Sequence, residues 1–285
     1  LKTTDGGHTW SQLTSGTSVT LHRVKFYNSS QGVVSGSGGL ILKTSNGGQT
    51  WSAPSSGTSS DIKSVTYASE NRLFAVGSSG QIRRSDNGGQ SWTSQNSGIT
   101  KDIRSINCQS ESKCWAVGKD GRVLRTTNGG STWTVSIVHN SPTEDFNSVN
   151  FVDENKGWIV GNNGSAFKTL DGGATWTHTD TGVTTDLQEV VFVGNPEGGA
   201  VGGDGTVLKS GDAGTSWTKQ NGVIAENTTW TESESPFQIT GHVTVASGVT
   251  LTINPGVTVK FDSGKVLIVE GDLIARGTSG NKITF

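Results

Sequence analysis

Several residue types are scarce in this chain of 285 residues, and each shortage narrows what the protein can be. There is no methionine, so we expect a processed or truncated piece of a longer chain, with no visible signal peptide. No run of about 18 apolar residues occurs, so no membrane insertion is expected. Charged residues make up 16% of the chain and the net charge is −2, which gives no indication of nucleic-acid binding.

Cysteine is also rare, with only Cys108 and Cys114 present. Two cysteines without a nearby histidine fall short of the four ligands of a structural zinc site, so we expect neither a metal nor a cofactor. The two residues lie near the end of one predicted strand and the start of the next. A disulfide across that hairpin would fit and would indicate an oxidising compartment, whereas two reduced cysteines are the alternative.

Glycine, by contrast, is abundant at 41 residues, and many of these glycines belong to an eight-residue stretch that occurs six times. Its pattern is Ser/Thr, any residue, Asp/Asn, any residue, Gly, any residue, Thr/Ser, Trp. The final tryptophans are spaced by 41, 41, 41, 43 and 41 residues, which predicts a stacked or radial array. The copies are Thr3–Trp10, Thr44–Trp51, Ser85–Trp92, Thr126–Trp133, Thr169–Trp176 and Ser210–Trp217.

The residue types within each copy suit a tight turn between two strands. Glycine tolerates a positive φ, and the Asp or Asn before it can accept hydrogen bonds from the backbone amides of the turn. The tryptophan then offers a large apolar side chain to a core. A motif present six times cannot be six catalytic centres, so we interpret it as structural. Its Asp or Asn residues are Asp5, Asn46, Asn87, Asn128, Asp171 and Asp212, and its tryptophans are Trp10, Trp51, Trp92, Trp133, Trp176 and Trp217.

This pattern resembles the Asp-box, or BNR, repeat of sialidase-type β-propellers. The longer repeat is similar to the photosystem II assembly and stability factor family and its secreted bacterial relatives. The resemblance covers roughly residues 1–220 and implies a propeller in which each Asp box links the third and fourth strands of a blade. Asn46, Asn87 and Asn128 lack the charge of the Asp, so an ionic role for the box is not expected.

The predicted fold is all-β, because four short strands per repeat of about 41 residues match a propeller blade. Residues 1–222 are predicted to form an Asp-box propeller with five complete four-stranded blades and half a blade. The half blade is expected because Leu1–Thr3 corresponds to the third strand of its repeat. Exposed strand edges are generally avoided, so we expect an N-terminal truncation and six or seven blades in the intact protein.

The pattern changes after Trp217, and residues 223–285 contain no Asp box. They show short strands of alternating apolar residues, separated by turns such as ASG, NPG and DSG. The stretch ITGHVTVASGVTLTINPGVTVKF resembles the opening of a right-handed parallel β-helix of surface-exposed bacterial and archaeal proteins. We expect about two coils of this helix here and a continuation beyond Phe285.

Catalytic residues are not apparent. A sialidase uses three arginines on a carboxylate, a tyrosine nucleophile and an acid, and its chemistry needs groups that converge. The chain has only Tyr27 and Tyr67, and Tyr67 occupies a slot that other repeats fill with phenylalanine or cysteine. No nucleophile motif accompanies the five histidines, and no phosphate-binding glycine motif stands between a strand and a helix. We therefore predict that the protein is not an enzyme.

Charged residues at repeated positions are candidates for binding a partner. A cation stands three residues before each box Asp or Asn, and these cations either form a basic ring or pack between blades. Asp61, Asp102, Asp145 and Asp186 open four first strands and either surround the channel mouth or act as turn residues. The six cations are Lys2, Lys43, Arg84, Arg125, Lys168 and Lys209.

One sector is more basic than the rest. Residues 61–126 contain ten Lys or Arg against six Asp or Glu, so a face of this sector could recruit an acidic protein or polysaccharide. An ordinary solvated surface is the alternative. The candidate residues are Arg83, Arg84, Arg104, Arg122 and Arg125.

The leading hypothesis is a non-catalytic, extracellular or cell-surface protein of a prokaryote. Its role would be adhesion, surface assembly, or recognition of a protein or cell-wall polysaccharide, with self-assembly of the full-length protein as a further expectation. One alternative is an accessory binding region of a carbohydrate-active enzyme whose catalytic β-helix lies downstream. The other is a chaperone similar to the photosystem assembly factors.

Overall fold

The computed structural model describes residues 1–7, 9–138, 144–194, 196–220, 222–239 and 241–285. The chain divides into two compact units, Leu1–Thr218 and Lys219–Phe285. Short strands dominate both units. In the described part of the chain, no helix has the length and apolar character needed to cross a membrane.

The first unit is a five-bladed propeller of antiparallel sheets whose strands follow chain order. Blade 1 contains β1 (Leu21–Phe26), β2 (Gly32–Gly36) and β3 (Ile41–Thr44). Blade 2 contains β4 (Ile62–Tyr67), β5 (Leu73–Gly77), β6 (Ile82–Ser85) and β7 (Thr93–Gln95). Blade 3 contains β8 (Ile103–Cys108), β9 (Cys114–Gly118), β10 (Arg122–Thr126) and β11 (Thr134–Ile137). Blade 4 contains β12 (Phe146–Phe151), β13 (Gly157–Gly161), β14 (Ala166–Thr169) and β15 (Thr177–His178). Blade 5 contains β16 (Leu187–Phe192), β17 (Gly198–Gly202), β18 (Val207–Ser210) and β19 (Thr218–Gln220).

The predicted five blades are therefore confirmed, with one difference in strand number. Blade 1 has three strands, and its fourth is reduced to an isolated antiparallel bridge between Lys43 and Ser52. The first Asp box lies before blade 1, where Lys2 and Ser11 form the equivalent bridge with two backbone hydrogen bonds of 2.8 Å. Short 3-10 turns connect the second and third strands of blades 1, 2, 4 and 5, at Ser37–Gly39, Ser78–Gly80, Asn162–Gly164 and Gly203–Gly205.

The hydrophobic core of the propeller lies between blades. The second strands of blades 1 to 4 are buried along their whole length, because a neighbouring sheet covers each face. Val33 and Ile41 of blade 1 cluster with Ile62 and Val65 of blade 2. Equivalent clusters join each later pair of neighbouring blades up to blade 5. Since each fully buried aliphatic side chain stabilises the fold by about 1.5–3 kcal/mol, this packing orders the array.

In the Asp boxes of blades 3, 4 and 5, one glycine lies directly against the preceding blade. A Cβ atom on Gly130, in the box of blade 3, would lie 2.7 Å from the ring of Phe74 in blade 2. A Cβ atom on Gly214, in the box of blade 5, would lie 2.5 Å from the indole of Trp158 in blade 4. Only glycine lets the turn approach so closely. The turn also requires a positive φ at this position, which glycine adopts without strain.

Every described strand pairing in the second unit is parallel. Its strands are β20 (Gly222–Ile224), β21 (Thr228–Trp230), β22 (Phe237–Ile239), β23 (Val243–Val245), β24 (Thr250–Ile253), β25 (Val259–Phe261), β26 (Leu267–Val269) and β27 (Asp272–Ala275). They form three short sheets, β20-β23-β26, β21-β24-β27 and β22-β25. Apolar residues such as Leu251, Ile253 and Val257 fill the interior. The handedness of this unit and its continuation as a β-helix stay predictions.

The contact of Gly130 with Phe74 can be tested by Gly130→Ala, with Gly182→Ala as the control. Both glycines have positive φ, so both changes cost about 1–2 kcal/mol of backbone strain. Only Gly130 has a buried ring in the way, since Gly182 has no atom within 4 Å of its Cβ position. In urea denaturation, Gly130→Ala should therefore lower the free energy of unfolding by about 1–3 kcal/mol more than Gly182→Ala does. Equal losses in the two variants would contradict the contact.

Candidate functional site

Each Asp box is closed by its own hydrogen bonds. In blade 1 the hydroxyl of Thr44 accepts a hydrogen bond from the Gly48 amide at 2.9 Å. Oδ1 of Asn46 accepts from the Thr50 amide at 3.0 Å, and its Nδ2 donates to the Thr50 hydroxyl at 2.9 Å. The side chains of Thr44 and Asn46 thus connect the start of the turn to its end.

Boxes that contain Asp make the same contacts with a carboxylate. Asp171 accepts from the Thr175 amide at 2.9 Å and from the Thr175 hydroxyl at 2.6 Å. These hydrogen bonds lower the pKa of Asp171 to about 2, and the equivalent bonds from Ser216 lower the pKa of Asp212 to about 2. The bonds from Thr9 likewise hold the pKa of Asp5 well below its usual range. The box carboxylates therefore act inside the turn.

The box tryptophans differ in how deeply they are buried. Among the six, only Trp92 is buried, whereas Trp10 is exposed and the other four are half-buried. Trp51, for example, meets the ring of Phe26 in its own blade edge-on, with centroids 6.3 Å apart. Trp92 belongs to a core cluster, and Trp133, Trp176 and Trp217 pack against the clusters of their blades, as the sequence predicts.

The cations that precede the boxes contact the next box along the chain. Nζ of Lys2 donates to the carbonyl of Gly47 at 3.2 Å, and Nη1 of Arg84 donates to the carbonyl of Gly129 at 3.0 Å. Nζ of Lys168 donates to the hydroxyl of Thr215 at 2.7 Å. For these three cations the structure favours packing between blades over a free basic ring.

The four aspartates that open first strands also join neighbouring blades. Each carboxylate accepts a hydrogen bond from an amide in the turn between the second and third strands of the preceding blade. The donors to Asp61, Asp102, Asp145 and Asp186 are the amides of Gly38, Ser79, Asp120 and Asn163, at 2.9, 2.9, 3.2 and 3.0 Å. Sequence reasoning missed this role, although the regular position of Asp at the strand start was its signal.

The five candidate arginines contact different partners. Arg83 donates to the carbonyl of Gly57 at 2.8 Å, Arg84 pairs with Asp86 at 2.6 Å, and Arg104 pairs with Asp145 at 2.7 Å. In the described residues, the buried Nε atoms of Arg122 and Arg125 have no hydrogen-bond acceptor. No common site emerges from these contacts, and the role of the five residues in partner binding stays a prediction.

Cys108 and Cys114 form a disulfide, as predicted. They stand opposite each other in the register of β8 and β9, with Cα atoms 4.1 Å apart. Over the part of the chain that is described, no group of three or more His, Cys, Asp or Glu side chains is arranged to hold a metal ion.

An apolar opening beside blade 1, which we call the seam, is the site that sequence reasoning did not find. It is a cavity of about 690 Å³ between the segment of the first Asp box and blade 1. Its apolar lining includes Leu1, Leu13, Leu21, Val24, Phe26, Val34, Leu42 and Trp51. Arg23 also lines the cavity and forms an ion pair with Glu189 of blade 5, with Nη2 and Oε1 2.6 Å apart.

The blades, the boxes and the contacts between them define an Asp-box β-propeller. The chain belongs to the family described as the DUF6242 beta propeller domain, whose model matches residues 9–157. The model of the photosynthesis system II assembly factor YCF48 matches residues 129–222. No curated protein matches the chain.

Several solved structures are similar to this chain. A structure titled "YCF48 bound to D1 peptide" is 18% identical, covers 72% of this chain and 82% of its own, and has a TM-score of 0.43. A GH74 enzyme of Niastella koreensis is 16% identical, with a TM-score of 0.60, over 72% of this chain and 39% of the enzyme. The structure of U3-55K is 10% identical, with a TM-score of 0.64, over 73% of this chain and 67% of that one. At such identities the last two show the propeller fold alone.

The depressed pKa of Asp171 predicts a specific acid dependence. Its carboxylate stabilises the fold above the ordinary pKa near 3.8, and this stabilisation is lost as the pH falls through about 2. Asp171→Asn keeps the bonds seen for Asn46 but has no charge to lose. Between pH 4 and pH 2 the melting temperature of the wild type should therefore fall by more than that of Asp171→Asn.

The reverse change, Asn87→Asp, serves as the matched control for this experiment. Asn87 accepts from the Ser91 amide at 3.0 Å and donates to the Ser91 hydroxyl at 2.8 Å, so the box geometry is the same. The variant should acquire the additional acid sensitivity that Asp171→Asn loses. Parallel melting curves for all three proteins across this pH range would refute the assignment.

Proposed function

We propose that the propeller is a non-catalytic module that binds a protein partner and serves in adhesion or assembly. The observation that carries this proposal is the contrast between its polar and apolar groups. The repeated carboxylates and several repeated cations bind the turns and neighbouring blades. The apolar seam beside blade 1, in contrast, is open to solvent. Contiguous exposed apolar surface of this kind commonly marks an interaction site.

The family match adds support for an assembly role. Residues 129–222 match the model of an assembly factor of photosystem II, and this stretch contains the whole of blades 4 and 5. A protein that assembles others must hold its partners by surface contacts, and the five blades offer surface for them. The proposal concerns this mode of action and does not name a photosystem as the partner.

We also propose that the protein works outside the cell or on its surface. The Cys108–Cys114 disulfide supports this location, since disulfides persist in oxidising compartments. The parallel ladders of residues 219–285 support the interpretation of this unit as the opening of a right-handed parallel β-helix. The resemblance of its sequence to surface-exposed β-helix proteins adds support for a surface location.

The proposal can be tested by immobilising the full chain and applying cell-surface protein extracts and a panel of soluble cell-wall polysaccharides. We expect saturable binding of a protease-sensitive component, no saturable binding of polysaccharide and no release of reducing sugar. Serum albumin immobilised at the same density is the control. Sugar release would overturn the non-catalytic role, and binding of polysaccharide alone would favour a carbohydrate-binding module.

A further inference from the structure

We propose that Tyr27 and Tyr67 form an oxidative cross-linking site, at which a peroxidase with hydrogen peroxide joins the two phenol rings by a carbon–carbon bond. The product is a dityrosine that links blade 1 covalently to blade 2. This modification goes beyond the proposed binding function and does not depend on it.

Tyr27 and Tyr67 are the only tyrosines of the chain, and they lie against each other. Their ring centroids are 5.4 Å apart, and the ring planes are inclined by 41°. A centroid distance of this size is that of two aromatic rings in contact. Tyr27 directly follows β1 of blade 1, and Tyr67 is the last residue of β4 of blade 2. The pair therefore spans the boundary between two blades.

The repeat explains why the residue that follows a first strand meets the next blade. Gln109, which follows β8 of blade 3, donates through Nε2 to the carbonyl of Phe151, the last residue of β12. Val152, which follows β12, packs against the cluster that contains Phe192, the last residue of β16. The side chain of Tyr27 is directed to blade 2 in the same way, and it is not among the residues that line the seam.

The two tyrosines differ in their access to an oxidant. Tyr27 is 48% exposed, whereas Tyr67 is half-buried and packs against the hydrophobic cluster between blades 1 and 2. The amide of Tyr27 donates to the carbonyl of Gln31 at 2.9 Å, which fixes its backbone in the hairpin. Only rotation of the exposed ring is then needed to bring the reacting carbon atoms together. Tyr27 is thus the ring that a peroxidase oxidises first.

Tyr67 is oxidised through Tyr27. Burial raises the pKa of Tyr67 to about 12, so at neutral pH its proton leaves together with the electron. Tyr67 passes one electron and one proton to the phenoxyl radical of Tyr27, and the peroxidase then oxidises Tyr27 a second time. Because the rings are in contact, both radicals arise side by side.

The coupling step balances with one molecule of hydrogen peroxide. The two radicals form a bond between the ring carbons that lie ortho to their hydroxyl groups. The hydrogen on each of these carbons then moves to the oxygen of the same ring through solvent, which restores both phenols. The pair has lost two electrons and two protons, and hydrogen peroxide accepts them and becomes two molecules of water.

The cross-link would join parts of the chain that no disulfide connects. Cys108 and Cys114 link two strands of the same blade, whereas Tyr27 and Tyr67 belong to different blades. A covalent link between residues far apart in the sequence lowers the conformational entropy of the unfolded chain. The cross-linked protein is therefore expected to melt at a higher temperature than the untreated protein.

The test is oxidation of the full chain with a plant peroxidase and hydrogen peroxide. Monomer and dimer are then separated under denaturing conditions. We expect dityrosine fluorescence in the monomer. After digestion with trypsin, mass spectrometry should find the peptide of residues 26–43 joined to the peptide of residues 64–72, with the loss of two hydrogen atoms. Since the chain has no other tyrosine, a joined pair in the monomer identifies the site.

Tyr67→Phe is the matched control. Phenylalanine occupies the equivalent position in blades 1, 4 and 5, so the variant keeps the ring and should fold as the wild type does. It lacks the hydroxyl group and should give neither the joined peptides nor dityrosine fluorescence in the monomer. The rise in melting temperature after oxidation should also be absent from this variant, which corrects for oxidation of the tryptophans.

A second control is oxidation of the wild type in urea. Unfolding separates the two rings and lowers their effective concentration, so the yield of the joined peptides in the monomer should fall. Three outcomes would overturn the inference. These are dityrosine in the dimer alone, an equal yield of joined peptides with and without urea, and oxidation of tryptophans without any joined peptides.

Discussion

The packing between blades depends on the close approach of the Asp boxes of blades 3, 4 and 5 to the blade before them. The second glycine of the box lies against a buried side chain of the preceding second strand, such as Phe74 beneath Gly130 or Trp158 beneath Gly214. The box must therefore be both a tight turn and a surface without a side chain. Because its Ser/Thr and Asp/Asn side chains satisfy the amides of the turn, the approach leaves few polar groups unpaired.

Other contacts between blades follow from this approach. The cation before one box reaches the carbonyl or hydroxyl of the next box, and the aspartate of one first strand caps the turn of the preceding blade. Neighbouring blades are thus joined by core packing, by the cations that precede the boxes and by the aspartates that open the first strands. The first strand of blade 1 is more exposed than the first strands of blades 2 to 5, so the apolar face of blade 1 stays open.

Much of the propeller could be predicted because its signals are local and repeated. Alternation in strands such as β4, paired glycines and the 41-residue period predict blades, and two cysteines opposite each other in a hairpin predict a disulfide. The partners of Lys2 and Asp61 could not be predicted in the same way. They lie 45 and 23 residues away along the chain, and each contact depends on how neighbouring segments of the propeller pack together.

The sequence alone determined the class of fold, the number of blades and the turn chemistry of the box, since each depends on residues within one repeat. Only the tertiary structure decided that the box contributes to the contact between blades. It also decided that the charged residues join blades and that the apolar face of blade 1 remains open. These features arise where two repeats meet, and the distance and angle between two sheets are set by all the side chains that pack between them.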